Sequence, residues 1–532
     1  MSTPLPWWKT SVFYQIYPRS FQDSNGDGLG DLDGVRARLP ELAALGVDVL
    51  WLSPVHPSPQ KDFGYDISDY DGIDPAYGDQ AGFDRLLAEA QARGMRVILD
   101  LVVNHTSDQH PWFQESRKGR DNPYRDWYLW RPGQGRRPPN NWASVFGGSA
   151  WAYDPVSAEH YLHLFLPEQP DLNWRNPAVV EAITAMMRRW MDRGVAGFRM
   201  DVYNCYRKHP ALLDNPPTYN PLGWVYPYLG QRHVHDQDQP DLVEILGQMR
   251  AAVDPYDGVL LGETLAARDY AAAGRYAGPH ALHLAFHFGL LRAPWKAPAV
   301  RAAIQGWLDA LGPEGWPTWV LSNHDFPRAA SRIAKAVGAA RAEAQVRNAL
   351  VLLLMLQGTP TIYYGEEIGA REQKIPRSRL QDPVGRRFWP FFPGRDGCRA
   401  PMAWTPEGGF TTGDPWLPEN ADRSSRNVAA QQQDPGSLWR LTAELLRLRK
   451  AHPALHAGEM ALLPAHPQVV GWTRRTEEEA ALILVSWSGR PVTLPVPEGR
   501  WTVACSTSGA AGRALEGAAT LGPDEAVVAL RA

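Results

Sequence analysis

Short apolar runs alternate with amphipathic segments over most of the chain. The first runs, at 12–18, 49–53 and 96–103, are rich in β-branched and aromatic residues, and helix-like periodicity at 35–45 and 83–93 separates them. Continuous apolar strands separated by helices are typical of parallel βα units, because such strands are covered on both faces. The alternation resumes further along the chain, so that eight strands and seven or eight helices are expected in all. This pattern predicts an α/β fold, a closed (β/α)₈ TIM barrel.

Two stretches depart from the alternation. Residues 104–174 are rich in Pro, Gly, Asn and aromatic residues and contain no long periodic helix. So long an interruption in a compact domain predicts an inserted subdomain after the third strand. Short alternating segments over residues 456–532 predict a C-terminal antiparallel β domain, a β-sandwich. The barrel is therefore expected to consist of residues 1–103 and 175–455.

The composition argues against several functions. The net charge is −4, whereas a nucleic-acid-binding surface would need a basic patch. Three cysteines without zinc-motif spacing cannot form a disulfide framework. The first residues lack the apolar region of a signal peptide, and no apolar run is long enough to span a membrane. We therefore expect a cytoplasmic protein, monomer or homodimer, that contacts neither membrane nor nucleic acid.

Charged and polar residues follow several predicted strands. Arg199 and Asp201 lie two apart on the fourth strand, so their side chains share a face. Active sites of these barrels lie at the carboxyl ends of the strands. The side chains expected to meet there are His105, Arg199, Asp201, Glu263, His324 and Asp325.

Three carboxylates at one rim suggest glycoside cleavage, which needs one ionised and one protonated carboxyl group. Arg199 is expected to keep Asp201 ionised, because a nearby opposite charge favours the charged form. Glu263 ends an apolar strand, where desolvation would raise its pKa. We predict Asp201 as nucleophile, Glu263 as general acid/base and Asp325 as an auxiliary that orients sugar hydroxyls. For each residue alone, a paired charge at a strand end is the alternative.

Four segments resemble, in order, the motifs of the α-amylase family of glycoside hydrolases (family 13). They are 100–105 (Asp-Leu-Val-Val-Asn-His), 197–201 (Gly-Phe-Arg-Met-Asp), 262–263 (Gly-Glu) and 322–325 (Ser-Asn-His-Asp). The resemblance covers nearly the whole chain. It implies retention at the α-anomeric carbon through a covalent glucosyl-enzyme intermediate, and it supports the three catalytic roles. His105, Arg199 and His324 are expected to contact the substrate.

Further segments resemble the α-glucosidase and oligo-1,6-glucosidase branch of that family. Segment 169–174 (Gln-Pro-Asp-Leu-Asn-Trp) is similar to the mark of the branch, and 62–66 matches its pocket wall. The resemblance implies that Asp62 grips the terminal glucose and that Tyr65 stacks under its ring. It also implies that Arg399 pairs with Asp62 and holds the outer hydroxyls of the same sugar. Such a blind pocket would make the enzyme exo-acting on small oligosaccharides.

The loop 23–31 (Asp-Ser-Asn-Gly-Asp-Gly-Leu-Gly-Asp) places oxygen donors at alternate positions, which suits a hard cation. The twelfth position is Gly34, so the acidic ligand of a full EF-hand is missing, and an Asx-rich turn is the alternative. The resemblance implies a structural Ca²⁺ or Mg²⁺ and no organic cofactor. The implied ligands are Asp23, Asn25, Asp27, Asp31 and the carbonyl oxygen of Leu29.

The residues leave the linkage and the fate of the glucosyl group open. Val202 is similar to members that prefer α-1,6 bonds, whereas 214–217 and 394–399 resemble α-glucosidases that favour short α-1,4 substrates. The alternative to hydrolysis is transfer or isomerisation, as in a sucrose isomerase, a trehalose synthase or a transglucosidase. A non-catalytic sugar-binding or transporter subunit would be expected to lose catalytic carboxylates, and this sequence keeps them.

Overall fold

Eight parallel strands form the centre of the fold. The computed structural model describes residues 5–133, 135–265 and 270–531. The strands are β1 (Phe13–Ile16), β2 (Val49–Leu52), β3 (Arg96–Leu101), β4 (Gly197–Met200), β5 (Val259–Glu263), β6 (Leu284–Phe286), β7 (Thr318–Val320) and β8 (Thr359–Tyr363). They pair in the order β7-β8-β1-β2-β3-β4-β5-β6, and every pair is parallel. The predicted (β/α)₈ barrel is confirmed.

Amphipathic helices cover the outside of the barrel, which is why most strand residues are apolar. Gln15, Asp100, Arg199 and Glu263 are buried exceptions. The longer helices are Leu32–Ala37, Leu39–Leu45, Gln80–Ala92, Pro177–Asp192, Leu242–Val253, Ala297–Leu311, Ala329–Val337, Ala339–Met355 and Leu438–Ala451. Shorter ones are Trp7–Thr10, Pro111–Ser116, Tyr270–Gly274, Gly289–Arg292, Pro383–Phe388, Val428–Gln433 and Pro453–His456. Among the described residues, no helix combines the length and the apolar character needed to cross a bilayer.

Local sequence signals explain where several helices begin and break. The helix expected over 35–45 is two helices, because Pro40 stands in the first turn of the second one and cannot donate a backbone hydrogen bond. Asp31 caps the first of the two by accepting a hydrogen bond from the amide of Gly34 at 2.6 Å. The periodicity predicts no separate helix over Ala329–Val337. This helix precedes the helix Ala339–Met355, and Gly338 separates the two.

Two further units complete the chain, as predicted. The insertion after β3 contains an antiparallel sheet of Trp130–Arg131, Glu159–Leu162 and Trp151–Asp154. The C-terminal domain has a six-stranded sheet and a two-stranded sheet, whose apolar faces share one core. In sheet order its strands are Glu459–Leu462, Val469–Arg475, Ala480–Ser486, Ala526–Arg531, Trp501–Ser506 and Ala514–Leu515, followed by the pair Val492–Pro495 and Ala518–Leu521.

Candidate active site

Arg199 lies at the centre of the candidate site and is almost fully buried in β4. Its Nη1 donates hydrogen bonds to Asp100 Oδ1 at 2.6 Å and to Asp201 Oδ1 at 2.8 Å. Its Nη2 donates to Glu263 Oε2. Asp100 belongs to β3, directly opposite Arg199 in the strand register, and Glu263 ends β5 on the other side. One guanidinium group therefore holds carboxylates from three adjacent strands.

A strained turn places Asp201 at the mouth of the barrel. Asp201 follows the last residue of β4, and Val202 then adopts a left-handed conformation with φ of 35° and ψ of 41°. This conformation is unfavourable for a β-branched residue and persists only where the surroundings impose it. The side chain of Val202 packs with Phe146 and Phe165 in the core of the inserted subdomain. Packing against the subdomain therefore fixes the direction of the chain after Asp201.

Burial dominates the protonation of the two central carboxyl groups. It raises the pKa of Glu263 to about 8 and the pKa of Asp201 to about 7, although the charge of Arg199 lowers both. The prediction that Arg199 keeps Asp201 ionised is therefore wrong, because the pKa of Asp201 is raised and not lowered. The guanidinium is shared, and the charge of Asp100 further raises the pKa of Asp201. Glu263, the weaker acid, shares a side-chain hydrogen bond with Asp201.

Asp325 is in the opposite electrostatic situation. Burial raises its pKa, but contact with the imidazole of His324 and the charges of Arg395 and Arg399 together lower it below its usual value, so that the carboxylate stays ionised. Asp325 Oδ1 accepts hydrogen bonds from Arg395 Nη1 at 3.3 Å and from Arg399 Nη2 at 3.1 Å. Its other oxygen, Oδ2, lies 3.2 Å from His324 Nε2. The site thus contains one ionised carboxylate beside a pair of carboxyl groups whose pKa values are raised to about 7 and about 8.

His324 and Tyr65 connect Asp325 to the carboxylates around Arg199. His324 Nε2 lies 2.6 Å from the hydroxyl of Tyr65, which donates to Asp100 Oδ2 at 3.0 Å. The two rings are stacked, with centroids 5.3 Å apart and planes 7° from parallel. Gln15 Nε2 donates to His324 Nδ1 at 2.8 Å, so a neutral ring with its proton on Nε2 satisfies these contacts. Burial keeps the pKa of His324 well below its usual value, which agrees with a neutral ring.

Arg395, and not Arg399, pairs with Asp62. Arg395 Nη2 donates to Asp62 Oδ1 at 2.7 Å, whereas Arg399 Nε donates to the carbonyl oxygen of His324 at 2.8 Å. The predicted pairing of Arg399 with Asp62 is therefore wrong, although Arg399 still contacts Asp325. Arg395 directly precedes the short 3₁₀-helix Asp396–Arg399, and Arg399 is its last residue. Nothing in the sequence motif indicates which of them reaches Asp62.

A cavity of about 210 Å³ opens beside these groups. Its polar side is formed by Asp62, Tyr65, His105, Asp201, Glu263, His324, Asp325 and Arg395. Its other side is mostly apolar and is formed by Val145, Phe146, Phe165, Val202, Tyr226, Leu265, Phe288, Arg292, Phe326 and Val384. Arg199 and Arg399 do not line the cavity, but both contact carboxylates that do. His105 Nε2 lies 2.9 Å from the carbonyl oxygen of Tyr65, and burial lowers the pKa of this imidazole.

Sequence reasoning missed most of the apolar wall. Val145, Phe146 and Phe165 come from the inserted subdomain, and Tyr226 and Val384 come from other long connections. The one sequence signal for part of this wall is the abundance of aromatic residues in 104–174. Gln169, which donates to Asp62 Oδ2 at 3.3 Å, lies in a segment that the sequence did single out.

Side chains of the loop 23–31 accept hydrogen bonds from groups of the same loop. Asp23, Asn25 and Asp27 each accept from the amide two residues later, at 2.8–2.9 Å. Asp31 Oδ2 accepts from the amide and the hydroxyl of Ser24, each at 2.9 Å. The oxygen donors suit a hard cation in type. Within the described residues, however, no three or more His, Cys, Asp or Glu side chains converge as metal ligands do.

Comparison with known proteins agrees with this geometry. Residues 15–458 match the family model for the α-amylase catalytic domain. A probable α-glucosidase of Rhizobium meliloti (strain 1021) is 43% identical over 503 residues, which cover 92% of this chain and 91% of that protein. An oligo-1,6-glucosidase of Parageobacillus thermoglucosidasius is 41% identical over 527 residues, 92% of each chain. A solved structure of an α-glucosyl transfer enzyme, XgtA, is 40% identical, with a TM-score of 0.93 over 99% of this chain and 100% of that one.

The barrel and the carboxylates at its carboxyl end define a glycoside hydrolase. The chain belongs to the α-amylase family, glycoside hydrolase family 13.

The pKa values predict a bell-shaped pH profile. Activity should require ionised Asp201 and protonated Glu263, so kcat/KM should fall below about pH 7 and above about pH 8. Asp100→Asn removes a charge that raises the pKa of Asp201, so the acidic limb should move to lower pH. The measurement is kcat/KM for a nitrophenyl α-glucoside from pH 4 to 10, with melting temperatures as the control for folding. An acidic limb that does not move in Asp100→Asn would contradict this electrostatic account.

Proposed function

We propose that the protein is an exo-acting, retaining α-glucosidase. It would hydrolyse terminal non-reducing α-linked glucose, through α-1,4 or α-1,6 bonds, from short oligosaccharides by way of a covalent glucosyl-enzyme. The shared position of Asp201 and Glu263 on the guanidinium of Arg199 carries the proposal. Retaining enzymes hold their two carboxyl groups about 5–5.5 Å apart, whereas inverting enzymes leave about 6.5–9.5 Å for a water molecule. Two carboxyl groups in hydrogen-bond contact fit the first arrangement.

The mechanism follows from the protonation of the pair. An oxygen of Asp201 attacks the anomeric carbon while Glu263 gives its proton to the leaving oxygen, and the glycosidic bond breaks. Water then attacks the same carbon, Glu263 takes the water proton, and the bond to Asp201 breaks. Esterified Asp201 carries no charge, so one of the charges that raise the pKa of Glu263 disappears in the intermediate. The pKa of Glu263 is therefore lower in the intermediate, and Glu263 is ionised at the step where it must act as a base.

Exo action is supported by the polar end of the cavity. Asp62 and Asp325 are tied together there by Arg395, which closes the space beyond the catalytic pair. The cavity of about 210 Å³ is smaller than the range of about 300–1,000 Å³ for pockets that hold drug-sized ligands. That size suits one terminal sugar rather than the middle of a chain. The side-chain oxygens of Asp325 and Asp62 would accept hydrogen bonds from the hydroxyls of that sugar.

Transfer of the glucosyl group is the second candidate. The relative XgtA is described as an α-glucosyl transfer enzyme, and it matches almost the whole of this chain. The apolar wall opposite the carboxylates gives an acceptor something to pack against and presents few groups that would hold water. Hydrolysis and transfer share the same glucosyl-enzyme, so the catalytic roles are unchanged.

We further propose that the loop 23–31 binds a structural Ca²⁺ or Mg²⁺. Asp27 and Asn25 are exposed, and their side-chain oxygens can accept further bonds beyond the hydrogen bonds from backbone amides that they already accept. The carbonyl oxygen of Leu29 would complete the set. Such an ion would hold together the loop 23–31, which connects β1 to the first barrel helix. It would take no part in the reaction.

Replacing the nucleophile tests the catalytic assignment. Asp201→Asn should lower hydrolysis by about 10³-fold or more, with Asp309→Asn on the surface as the matched control.

Glu263→Gln incubated with α-glucosyl fluoride, whose leaving group needs no proton, should accumulate one glucosyl unit on Asp201. Mass spectrometry of the peptide detects the adduct, and NMR should show α-glucose as the first product of the wild type. β-Glucose as first product would contradict retention.

The exo pocket is tested at Arg395. Arg395→Lys loses paired hydrogen bonds to charged groups, so kcat/KM for maltotriose and isomaltotriose should fall about 10- to 100-fold. Exposed Arg377→Lys is the matched control. Chromatography should show glucose as the first monosaccharide released by the wild type, and maltotriose blocked at its non-reducing end should resist cleavage. Rapid cleavage of the blocked substrate would contradict exo action.

The metal is tested by stability. Calcium at millimolar concentration should raise the melting temperature of the chelator-treated wild type by a few degrees, because a ligand of the folded state stabilises it. Asp27→Ala should abolish this shift, and Asp33→Ala, which removes a neighbouring charge outside the loop, should retain it. The readout is differential scanning fluorimetry with Ca²⁺ and Mg²⁺ titrated separately. If wild type and Asp27→Ala respond alike, the loop is an Asx-rich turn without a metal.

A further inference from the structure

Asp382 is a fully buried carboxylate next to the closed, polar end of the cavity. It does not line the cavity, and it lies outside the segments that the sequence singles out. It pairs with Arg395, the arginine that joins Asp62 to Asp325. Any influence of Asp382 on a bound sugar must therefore pass through a neighbouring residue.

The side chain of Arg395 divides its donors among three carboxylates. Its Nε donates to Asp382 Oδ1 at 2.8 Å, and its Nη2 donates to the same oxygen at 2.6 Å. Nη2 also donates to Asp62 Oδ1 at 2.7 Å, and Nη1 donates to Asp325 Oδ1 at 3.3 Å. A guanidinium group is planar and rigid, so the direction of its Nε edge fixes the directions of its other donors. Contact of that edge with Asp382 therefore aims the remaining donors at Asp62 and Asp325.

Backbone groups hold Asp382 in place. Asp396, which is also fully buried, accepts a hydrogen bond from the amide of Asp382 at 3.0 Å. Asp382 Oδ2 accepts from the amide of Gly385 at 3.2 Å and from that of Arg395 at 3.1 Å. At Gly394, where φ is 78°, a Cβ atom would overlap this same oxygen. The carboxylate is therefore oriented by the chain around it and needs no bound sugar to hold it.

The electrostatics of the cluster agree with this geometry. Burial lowers the pKa of Arg395, but its three carboxylate partners together raise it well above the usual value. Of those three charges, the charge of Asp382 has the largest effect. Burial raises the pKa of Asp382, whereas the charges of Arg395 and Arg399 lower it, and the pKa lies below its usual value. Asp382 therefore stays ionised and is the main counter-charge of Arg395.

We propose that Asp382 is a positioning residue, which holds Arg395 in the orientation that closes the cavity behind a terminal glucose unit. This inference rests on the proposed exo-acting function and adds to it a residue that acts through Arg395. Without the carboxylate of Asp382, the Nε edge loses its anionic partner, and the guanidinium can rotate away from Asp62. The glucose unit then binds more weakly, whereas the contacts of Asp201 and Glu263 with Arg199 remain.

Two variants separate this role from the capping of the helix Pro383–Phe388, which Asp382 also performs. Asn and Ser cap helices about as well as Asp, so Asp382→Asn and Asp382→Ser keep a cap and lose the charge that faces Arg395. In both variants, KM for maltotriose and the inhibition constant for glucose should rise about 5- to 50-fold, while kcat falls less than about threefold. Asp79→Asn, which changes the cap of another helix, is the matched control and should change these constants by less than about twofold. Melting temperatures show that each variant is folded.

A double-mutant cycle tests whether Asp382 acts through Arg395. Arg395→Met keeps the aliphatic part of the side chain and removes its donors. In this background Asp382→Asn should lower kcat/KM by less than about twofold, because two residues that act through one contact are not additive. An equal loss with and without Arg395→Met would make Asp382 a separate structural contribution and would overturn the proposal.

Two further outcomes would also overturn the proposal. One is an unchanged KM in both Asp382 variants, and the other is a loss confined to kcat. Failure of the proposed function has a different signature, because it appears in the wild type. If the wild type rapidly cleaved maltotriose blocked at its non-reducing end, exo action would be contradicted, and the inference with it.

Discussion

The charge of Arg199, buried between three carboxyl groups, is the interaction on which the site depends. An unpaired charge in a barrel core costs several kcal/mol, so neither the cation nor the acids could remain there alone. The parallel register sets Asp100 directly beside Arg199 and brings Glu263 to the neighbouring strand end. One positive charge cannot neutralise three negative ones. Burial and, to a lesser extent, this excess of negative charge raise the pKa values of Glu263 and Asp201, so both are weak acids.

The distribution of arginines separates the roles of the carboxylates. Asp325 faces two guanidinium groups and stays ionised, whereas Asp201 and Glu263 compete for one. An ionised group at the closed end suits hydroxyl recognition, and a pair that holds one exchangeable proton suits acid–base chemistry. The chain of contacts through His324 and Tyr65 joins Asp325 to Asp100.

Much of this arrangement could be predicted from sequence, because strand periodicity locates the strand ends and barrel geometry brings strand ends together. That argument reaches Arg199, Asp201 and Glu263, which lie on or next to strands. It fails for Arg395 and Arg399, since both stand in an irregular segment and only the tertiary fold decides which reaches Asp62. The same argument also failed for the pKa of Asp201. That pKa depends on burial by all the surrounding residues, whereas the sequence showed only the adjacent charge of Arg199.

The barrel supplies the carboxyl groups of the catalytic pair, and the long connections supply much of the apolar lining of the cavity. The carboxyl groups stand on β-strands, whereas Phe146, Phe165 and Tyr226 come from long connections outside the barrel. Val202 links the two parts. Its left-handed backbone directs Asp201 into the cavity, and its side chain lies in the core of the inserted subdomain. The strain at this residue is maintained by packing that the subdomain provides, so the position of Asp201 depends on the same unit that supplies Phe146 and Phe165 to the cavity lining.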